Sequence, residues 1–352
     1  MSDQHVYTLF FRFVTTPVRS GCRVIKGRRI LSISDNTRTI LLLSGGLGRP
    51  REEEPHPLSP REFGRVAAWL SSRGLHPADL VEKDVEQIRQ DPIRGLSTTR
   101  LRQLLQRTNR LDTWVDSLAD SGIWVVSCED SLYPSRLRRR LGPLKPPLLY
   151  GCGERALLDR GGLAVVGSRN ADAEKLLFSG KAAQRCAAEG IQVVSGGARG
   201  VDRAAMLAAL GEGGTVVGVL PGSLHRAAAS RRWREGLASG RLALKTPFEP
   251  AAAFSVGAAM GRNRYIYLLS DWALAVDAAA HRGGTWAGAV EALKNRWLPV
   301  FVWLDEGVSE GNRLLEKRGA VPVTAGDLDQ ESLGEWLEQM ARSNKPGQIR
   351  MF

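Results

Sequence analysis

Residues Val193 to Asp202 read VVSGGARGVD, and the alanine-rich AAMLAAL follows at 204–210. A β-branched pair that runs into glycines, an arginine and an aspartate, and then into strong helix formers, is a strand turning sharply into a helix. The turn can hold a nucleotide cofactor, a nucleic-acid phosphate or no ligand. The same grammar repeats on both sides of it. IWVVS (123–127), LAVVGS (163–168), IQVVSG (191–196), TVVGVL (215–220), RLALK (241–245), WALAVD (272–277) and LPVFVW (298–303) are short apolar runs. Helical stretches separate them, among them LLFSGKAAQRCAAEG (176–190), ASRRWREGLASG (229–240) and TWAGAVEALKNR (285–296). Continuous apolar strands alternating with helices predict an α/β fold with a parallel sheet covered on both faces. Right-handed crossovers make it doubly wound, in the manner of an extended Rossmann sheet.

Four segments divide the chain. Residues 1–58 form an N-terminal extension with two strand-like runs, RRILSIS (28–34) and TILLLS (39–44), ending in the polar breaker GRPREEEPHP. Residues 59–121 read as a smaller helical domain. It opens on a capping box with proline at the first helical position, Ser59-Pro60-Arg61-Glu62. Phe63, Val66, Ala67 and Leu70 then recur at helical spacing, and Leu101, Leu104 and Leu105 share a later face. The arginines at 94, 100, 102, 107 and 110 around that face are either a solvated helix surface or a patch for a polyanion backbone. Residues 122–325 carry the strand–helix alternation, and 326–352 read as a C-terminal helix and tail.

Composition narrows the function. The 352-residue chain is 43% hydrophobic and 24% charged, as globular proteins are. It carries 49 Lys+Arg against 37 Asp+Glu, a formal +12. Such an excess favours a polyanionic partner, nucleic acid ahead of a membrane surface. Cys22, Cys128, Cys152 and Cys186 are far apart, which suggests neither a zinc site nor a disulfide framework, and the five histidines are unclustered. No run approaches the ~18 apolar residues of a membrane span. VYTLFFRFV near the start, broken by Arg12, is a poor signal peptide. The expectation is a cytoplasmic protein with no metal and no membrane association.

In a doubly wound sheet, ligands collect outside the carboxyl ends of the strands. Four segments there share one chemistry. They are Gly167-Ser168-Arg169-Asn170, Ser195-Gly196-Gly197-Ala198-Arg199-Gly200, the loop Gly261-Arg262-Asn263-Arg264, and Arg282-Gly283-Gly284-Thr285 after His281. Glycines let backbone N–H groups approach an anion, helix N-termini add positive potential, and arginines offer forked donors that match phosphate oxygens. Together they predict a phosphate-binding rim. GSRNAD lacks the later glycines of G-x-G-x-x-G, and no Walker A pattern occurs, so nicotinamide, flavin and nucleoside-triphosphate chemistry are disfavoured and no cofactor is expected. Asp202, Asp271 and Asp277 have no paired acid, base or nucleophile at motif spacing, and Ser195 lacks a nucleophile elbow and a placed histidine. Asp202 fits a first-turn carboxylate held by the helix dipole. The expectation is a protein that is not an enzyme.

In this order the motifs resemble the DprA/Smf family of DNA-processing proteins. The likeness runs from GIWVVSCEDSLYPSRLRRRLGPLKPPLLYGCGE (122–154) through LAVVGSRN, VVSGGARGVD, GRNR and RGGT to GNRLLEKRGA (311–320). It implies a Rossmann-like domain that binds single-stranded DNA in DNA processing and recombination, forms a homodimer, and helps load a RecA-type recombinase. By motif, Arg169 is the leading phosphate contact. Ser195, Gly196, Gly197 and Arg199 line the neighbouring loop, Arg262 and Arg264 extend the basic edge, and Gly283, Gly284 and Thr285 close it. Lys245 stands where the family usually has a glutamate. Other departures gather around the pocket: Met206 for the family's histidine, PGSLHRAAASRRW (221–233) in place of a Leu-Asp…Tyr-Pro loop, FSVGAAMGRNR (254–264) without Phe-Pro, and Asp277 in VDA. They suggest a divergent branch serving plasmid, phage or defence functions.

Trp233, Tyr265 and Trp286 are candidates to stack on bases, although large aromatics near helix starts usually pack into cores. The tail Gln348-Ile349-Arg350-Met351-Phe352 resembles the sliding-clamp-binding pentapeptide, with Gln348, Ile349, Met351 and Phe352 at the matching positions. The alternatives to a single-stranded DNA binder are a nucleotide-binding enzyme resembling the phosphoribohydrolases, for which RGGTWAGAVE offers G-G-T and Glu291, a nucleotide sensor, and an antitoxin-like regulatory partner.

Overall fold

A computed structural model describes residues 22–25, 28–48, 55–82 and 91–343. Strands β1 (Cys22–Ile25) and β2 (Arg28–Leu31) form an antiparallel hairpin. Helices α1 (Asp35–Ser44), α2 (Pro60–Ser71), α3 (Asp79–Glu82), α4 (Thr98–Leu105) and α5 (Thr108–Asp120) follow. TILLLS, read above as strand-like, lies inside α1. Ser34 caps that helix by accepting from Thr37 N at 3.1 Å, and Ile40 to Leu43 are all buried. A short apolar run with no alternation fits a buried helix as well as a strand, and here the cap decided. The capping box at Ser59–Glu62 is present in both directions.

The arginines of this block hold it together. Arg100 pairs with Glu62 at 2.6 Å and donates to the carbonyls of His56 and Pro57. That hydrogen bond holds the Glu62 carboxyl down at about 2. Arg107 is buried and donates to the carbonyls of Leu42 and Gly45, the open end of α1. Arg110 reaches Leu47 O at 2.8 Å.

From residue 124 the chain builds a nine-stranded sheet. Its strands are β3 (Trp124–Ser127), β4 (Leu148–Gly153), β5 (Leu163–Val166), β6 (Val193–Ser195), β7 (Val216–Val219), β8 (Leu242–Thr246), β9 (Trp272–Ala275), β10 (Val300–Trp303) and β11 (Val321–Val323). The spatial order is β11-β10-β9-β5-β6-β7-β8-β4-β3. The seven strands from β11 to β8 are parallel, as their unbroken apolar character requires, while β4 runs antiparallel to both β8 and β3. Helices α6 (Ser135–Leu141), α7 (Ala173–Ala188), α8 (Val201–Gly211), α9 (Leu224–Ala228), α10 (Arg234–Ala238), α11 (Val256–Leu268), α12 (Gly283–Asn295), α13 (Glu310–Glu316) and α14 (Leu333–Ser343) connect or cover them. Helix α1 packs against β3 and β4, so the helical block sits on the antiparallel end. The far edge, β11, is a three-residue VPV strand with Pro322 exposed.

Lys245 is not a DNA contact. It lies on β8 with no exposed surface, and its Nζ has no hydrogen-bond partner among the described residues. The ammonium sits 4.8 Å from the centroid of the Tyr265 ring on α11. Burial pulls its pKa from 10.5 to about 7. A displacement of that size corresponds to roughly 4–5 kcal/mol disfavouring the charged form in the fold. The unfolded chain keeps the proton up to its ordinary pKa, so this cost is full below pH 7 and fades as pH climbs toward 10.5. Lys245→Met, nearly isosteric, should therefore raise the melting temperature by roughly 5 °C or more at neutral pH. The gain should shrink as the scan is repeated toward pH 10, and an unchanged melting temperature at pH 7 would contradict the assignment.

Candidate functional site

The strand order sets the place of the site. From β5 the chain moves through β6 and β7 to β8; from β9 it moves the other way through β10 to β11. Strands β5 and β9 are neighbours whose exits diverge, and an open crevice forms outside their carboxyl ends. Gly167 to Asn170 follow β5 on one side of it. Asp277, Arg282, Gly283, Gly284 and Thr285 follow β9 on the other, the last three in the first turn of α12. Phe254, Val256 and Met260, at the start of α11, supply a third wall. They enclose a cavity of about 380 Å³.

The floor is ionic. Arg262 and Asp202 face each other at 3.9 Å with side chains 4% and 8% exposed. Asp202 also accepts the backbone N–H groups of Gly167, Gly196 and Ala198, so one carboxylate ties the β5 and β6 loops together. Burial raises the Asp202 pKa against the pull of Arg262, and burial lowers that of Arg262. Arg262 lies flat against Gly196, where any Cβ would collide with its Nη1. Its Nε and Nη1, and the buried Tyr267 hydroxyl, find no acceptor or donor among the described residues.

Of the residues expected at the rim, the structure brings Gly167, Ser168, Arg169, Asn263, Arg282, Gly283, Gly284 and Thr285 around this cavity. Arg169 and Arg282 are exposed at its mouth. Arg199 is exposed beside them, donating from Nε to Arg169 O at 3.3 Å and from Nη2 to Asn170 Oδ1. Gly197 turns the β6 loop at φ +66°.

Other expectations need correction. GRNR is not a loop but lies within α11, because Ser255 caps that helix seven residues ahead of Arg262 by accepting from Ala258 N at 3.0 Å. Arg262 faces Asp202 in the cavity floor, and Arg264 pairs with Glu291 of α12 at 3.2 Å, both side chains partly exposed. Asn263 donates to Gly284 O at 3.0 Å, holding α11 to the RGGT turn. Ser195 is buried and donates to Val165 O at 2.6 Å. Trp233, Tyr265 and Trp286 are core. Asp202 does more than answer a helix dipole. The aromatic wall that the sequence reading missed is Phe254, 51% exposed, with the Arg169 guanidinium 5.2 Å above its ring. Its signal was an apolar residue directly before the capping serine of a helix. Glu291 lies outside the cavity lining, so the G-G-T turn has no carboxylate beside it from that position.

The profile of the family described as DNA recombination-mediator protein A matches residues 124–331, more than half of the chain. The chain belongs to that family. A candidate DNA processing protein DprA of Mycobacterium tuberculosis is 29% identical over 258 residues, covering 70% of this chain and 63% of its own length. This chain thus spans less than two thirds of that relative. DprA from Streptococcus pneumoniae superposes with a TM-score of 0.52 at 22% identity, over 77% of this chain and 96% of its own. DprA from Helicobacter pylori, a structure described for its single-stranded DNA binding mode, gives 0.50 at 24% identity over 63% and 98%. At those identities the two structures speak for the shared fold. The recombination-mediator profile spans every strand from β3 to β11 and so takes in the whole switch-point cavity.

Removing the hub carboxylate should be costly. Asp202→Ala strands Arg262 without its counter-charge, and a loss of about 3–5 kcal/mol is expected from chemical denaturation. Arg282→Ala, at the exposed mouth, should stay within about 0.5 kcal/mol of the parent. Equal effects of the two would remove Asp202 from its central place.

Proposed function

We propose that the chain is a single-stranded DNA-binding protein acting in DNA processing and recombination, and that the switch-point cavity is its binding site. The observation that carries the reading is the pairing of the exposed Arg169 guanidinium with the exposed Phe254 ring over a one-nucleotide-sized cavity. A free guanidinium takes a phosphate oxygen, and a free ring takes the face of an unpaired base. Duplex DNA offers the first but hides the second. Gly283 and Gly284 at the α12 N-terminus present backbone N–H groups to the same space. Binding without turnover is part of the proposal. Family membership supports the same reading.

Its finer parts are a homodimer, a RecA-type recombinase as partner, and a sliding clamp held by Gln348, Ile349, Met351 and Phe352, which lie outside the described residues. The buried thiols of Cys128, Cys152 and Cys186 fit the reducing cytoplasm in which such a protein would work. Among the described residues no helix is long and apolar enough to cross a membrane.

Anisotropy titrations of labelled single-stranded and duplex DNA at two salt concentrations test the proposal. Single strands should bind more tightly, with affinity falling steeply as salt rises. Arg169→Ala should cost about tenfold or more on every sequence alike, from the loss of a charge-assisted hydrogen bond worth about 1.5–3 kcal/mol. Phe254→Ala should cost about 1–3 kcal/mol. Unchanged single-strand affinity in both variants would overturn the assignment of the cavity.

A further inference from the structure

The loop after β7, PGSLHRAAASRRW with Arg234 following, carries four arginines that the cavity does not use. Arg226, Arg231, Arg232 and Arg234 are all exposed. None of them forms an ion pair among the described residues, and the adjacent Glu235 is engaged by Arg241 at 3.4 Å. Helix α8 contributes Arg203 in its first turn, likewise without an ion pair and with a buried Nε that finds no acceptor. The charges of Arg232 and Arg199 both reach Arg203, so the three lie close together without an acid between them. Unrelieved like charges repel, and a fold that keeps them adjacent gains from an anion placed across them.

Topology lines these residues up with the cavity. Strands β9, β5, β6 and β7 are consecutive in the sheet and parallel, so their carboxyl ends open on one edge. Along that edge stand Arg282 after β9, Arg169 after β5, and Arg199 and Arg203 after β6; the connection that leaves β7 there carries Arg226, and the charge of Arg232 farther along it still reaches Arg203. At about 4.8 Å per strand the row spans roughly 15 Å, a length that several nucleotides of extended strand cover. The β7 loop is also held in place. Trp233 is its buried anchor, Ser223 N donates to Ala252 O at 2.8 Å, and Leu224 N donates to Pro250 O at 2.9 Å. Those acceptors lie on the segment that leads to Phe254, so the loop and the cavity's aromatic wall share one tether.

We propose that a single strand seated in the cavity leaves it past Arg199 and runs along Arg203, Arg226, Arg231, Arg232 and Arg234, a sequence-independent phosphate track. The inference rests on the reading of the cavity as a single-strand site and adds a direction and a second contact zone to it.

Oligothymidylates of two lengths separate the zones. A strand of about 2 nucleotides occupies the cavity and its mouth, and one of about 16 also lies on the track. The test variant is Arg226→Gln, Arg231→Gln, Arg232→Gln and Arg234→Gln combined. On the long strand it should lose at least tenfold in affinity, and the slope of log affinity against log salt should fall by about 2–3, near 0.7 per lost phosphate contact. On the short strand it should match the parent. Arg169→Ala should weaken both. A combined variant that binds the long strand with parental affinity and salt slope overturns the track while leaving the cavity reading intact, provided Arg169→Ala still weakens binding. Equal loss on both lengths also overturns it, because the four arginines would then act through the cavity. A loss confined to duplex DNA would assign them to a duplex surface instead. A parent that binds neither strand removes the cavity reading itself. The melting temperature of the combined variant, expected to equal the parent's, separates lost contacts from lost folding.

Discussion

A carboxylate and a guanidinium, both shut away from water, fix the geometry on which the rest of this molecule depends. Asp202 gathers the N–H groups of two loops that leave neighbouring strands, and Arg262 brings α11 against them. At 3.9 Å the two groups are too far apart for a good hydrogen bond, so their attraction offsets only part of the desolvation. What the pair contributes is position. It makes the β5 loop, the β6 loop and α11 a single rigid body, from which Arg169 and Phe254 project into solvent. Gly196 is obligatory in the same sense, since the guanidinium occupies the space of its missing side chain.

This arrangement explains which parts of the molecule were legible in the sequence. Six of the seven parallel strands were plain, because each is a short apolar run, most with a glycine, serine or aspartate at or just past the end; the three-residue VPV of β11, with its exposed proline, was not read as a strand. Strand β4 was not, since LLYGCG resembles its neighbours and nothing local records that it runs the other way. The rim was half legible. Motif order anticipates that Arg169, Arg282, Gly167, Gly283 and Gly284 meet at one cavity, because backbone turns at strand tips put them there. It does not reveal that Arg262 and Ser195 are buried or that Arg264 pairs with Glu291, because only the packing of α11 and α12 and the strand neighbours decide that. Phe254 was hidden for the converse reason: an apolar residue reads as core until its neighbours are known.

The surplus of positive charge is likewise uneven. Arg100, Arg107 and Arg110 satisfy carbonyls and a carboxylate in the helical block. Arg140 closes the end of α11 by donating to the carbonyls of Tyr267, Leu268 and Ser270, and Arg136 pairs with Asp271 beside it at 2.6 Å. These are internal fasteners. Arg169, Arg199 and Arg282 are exposed on the edge where the parallel strands end, so an approaching polyanion meets positive charge there.

The two rims of the nine-stranded sheet differ in what they offer a further strand. On one side α1 lies against β3. On the other, β11 is a single short VPV segment whose proline has no N–H to offer a new partner strand. That proline disfavours extension of the sheet past β11 by a second copy. Copies that met through their helices instead would keep each row of strand tips reachable by a polymer passing from one molecule to the next.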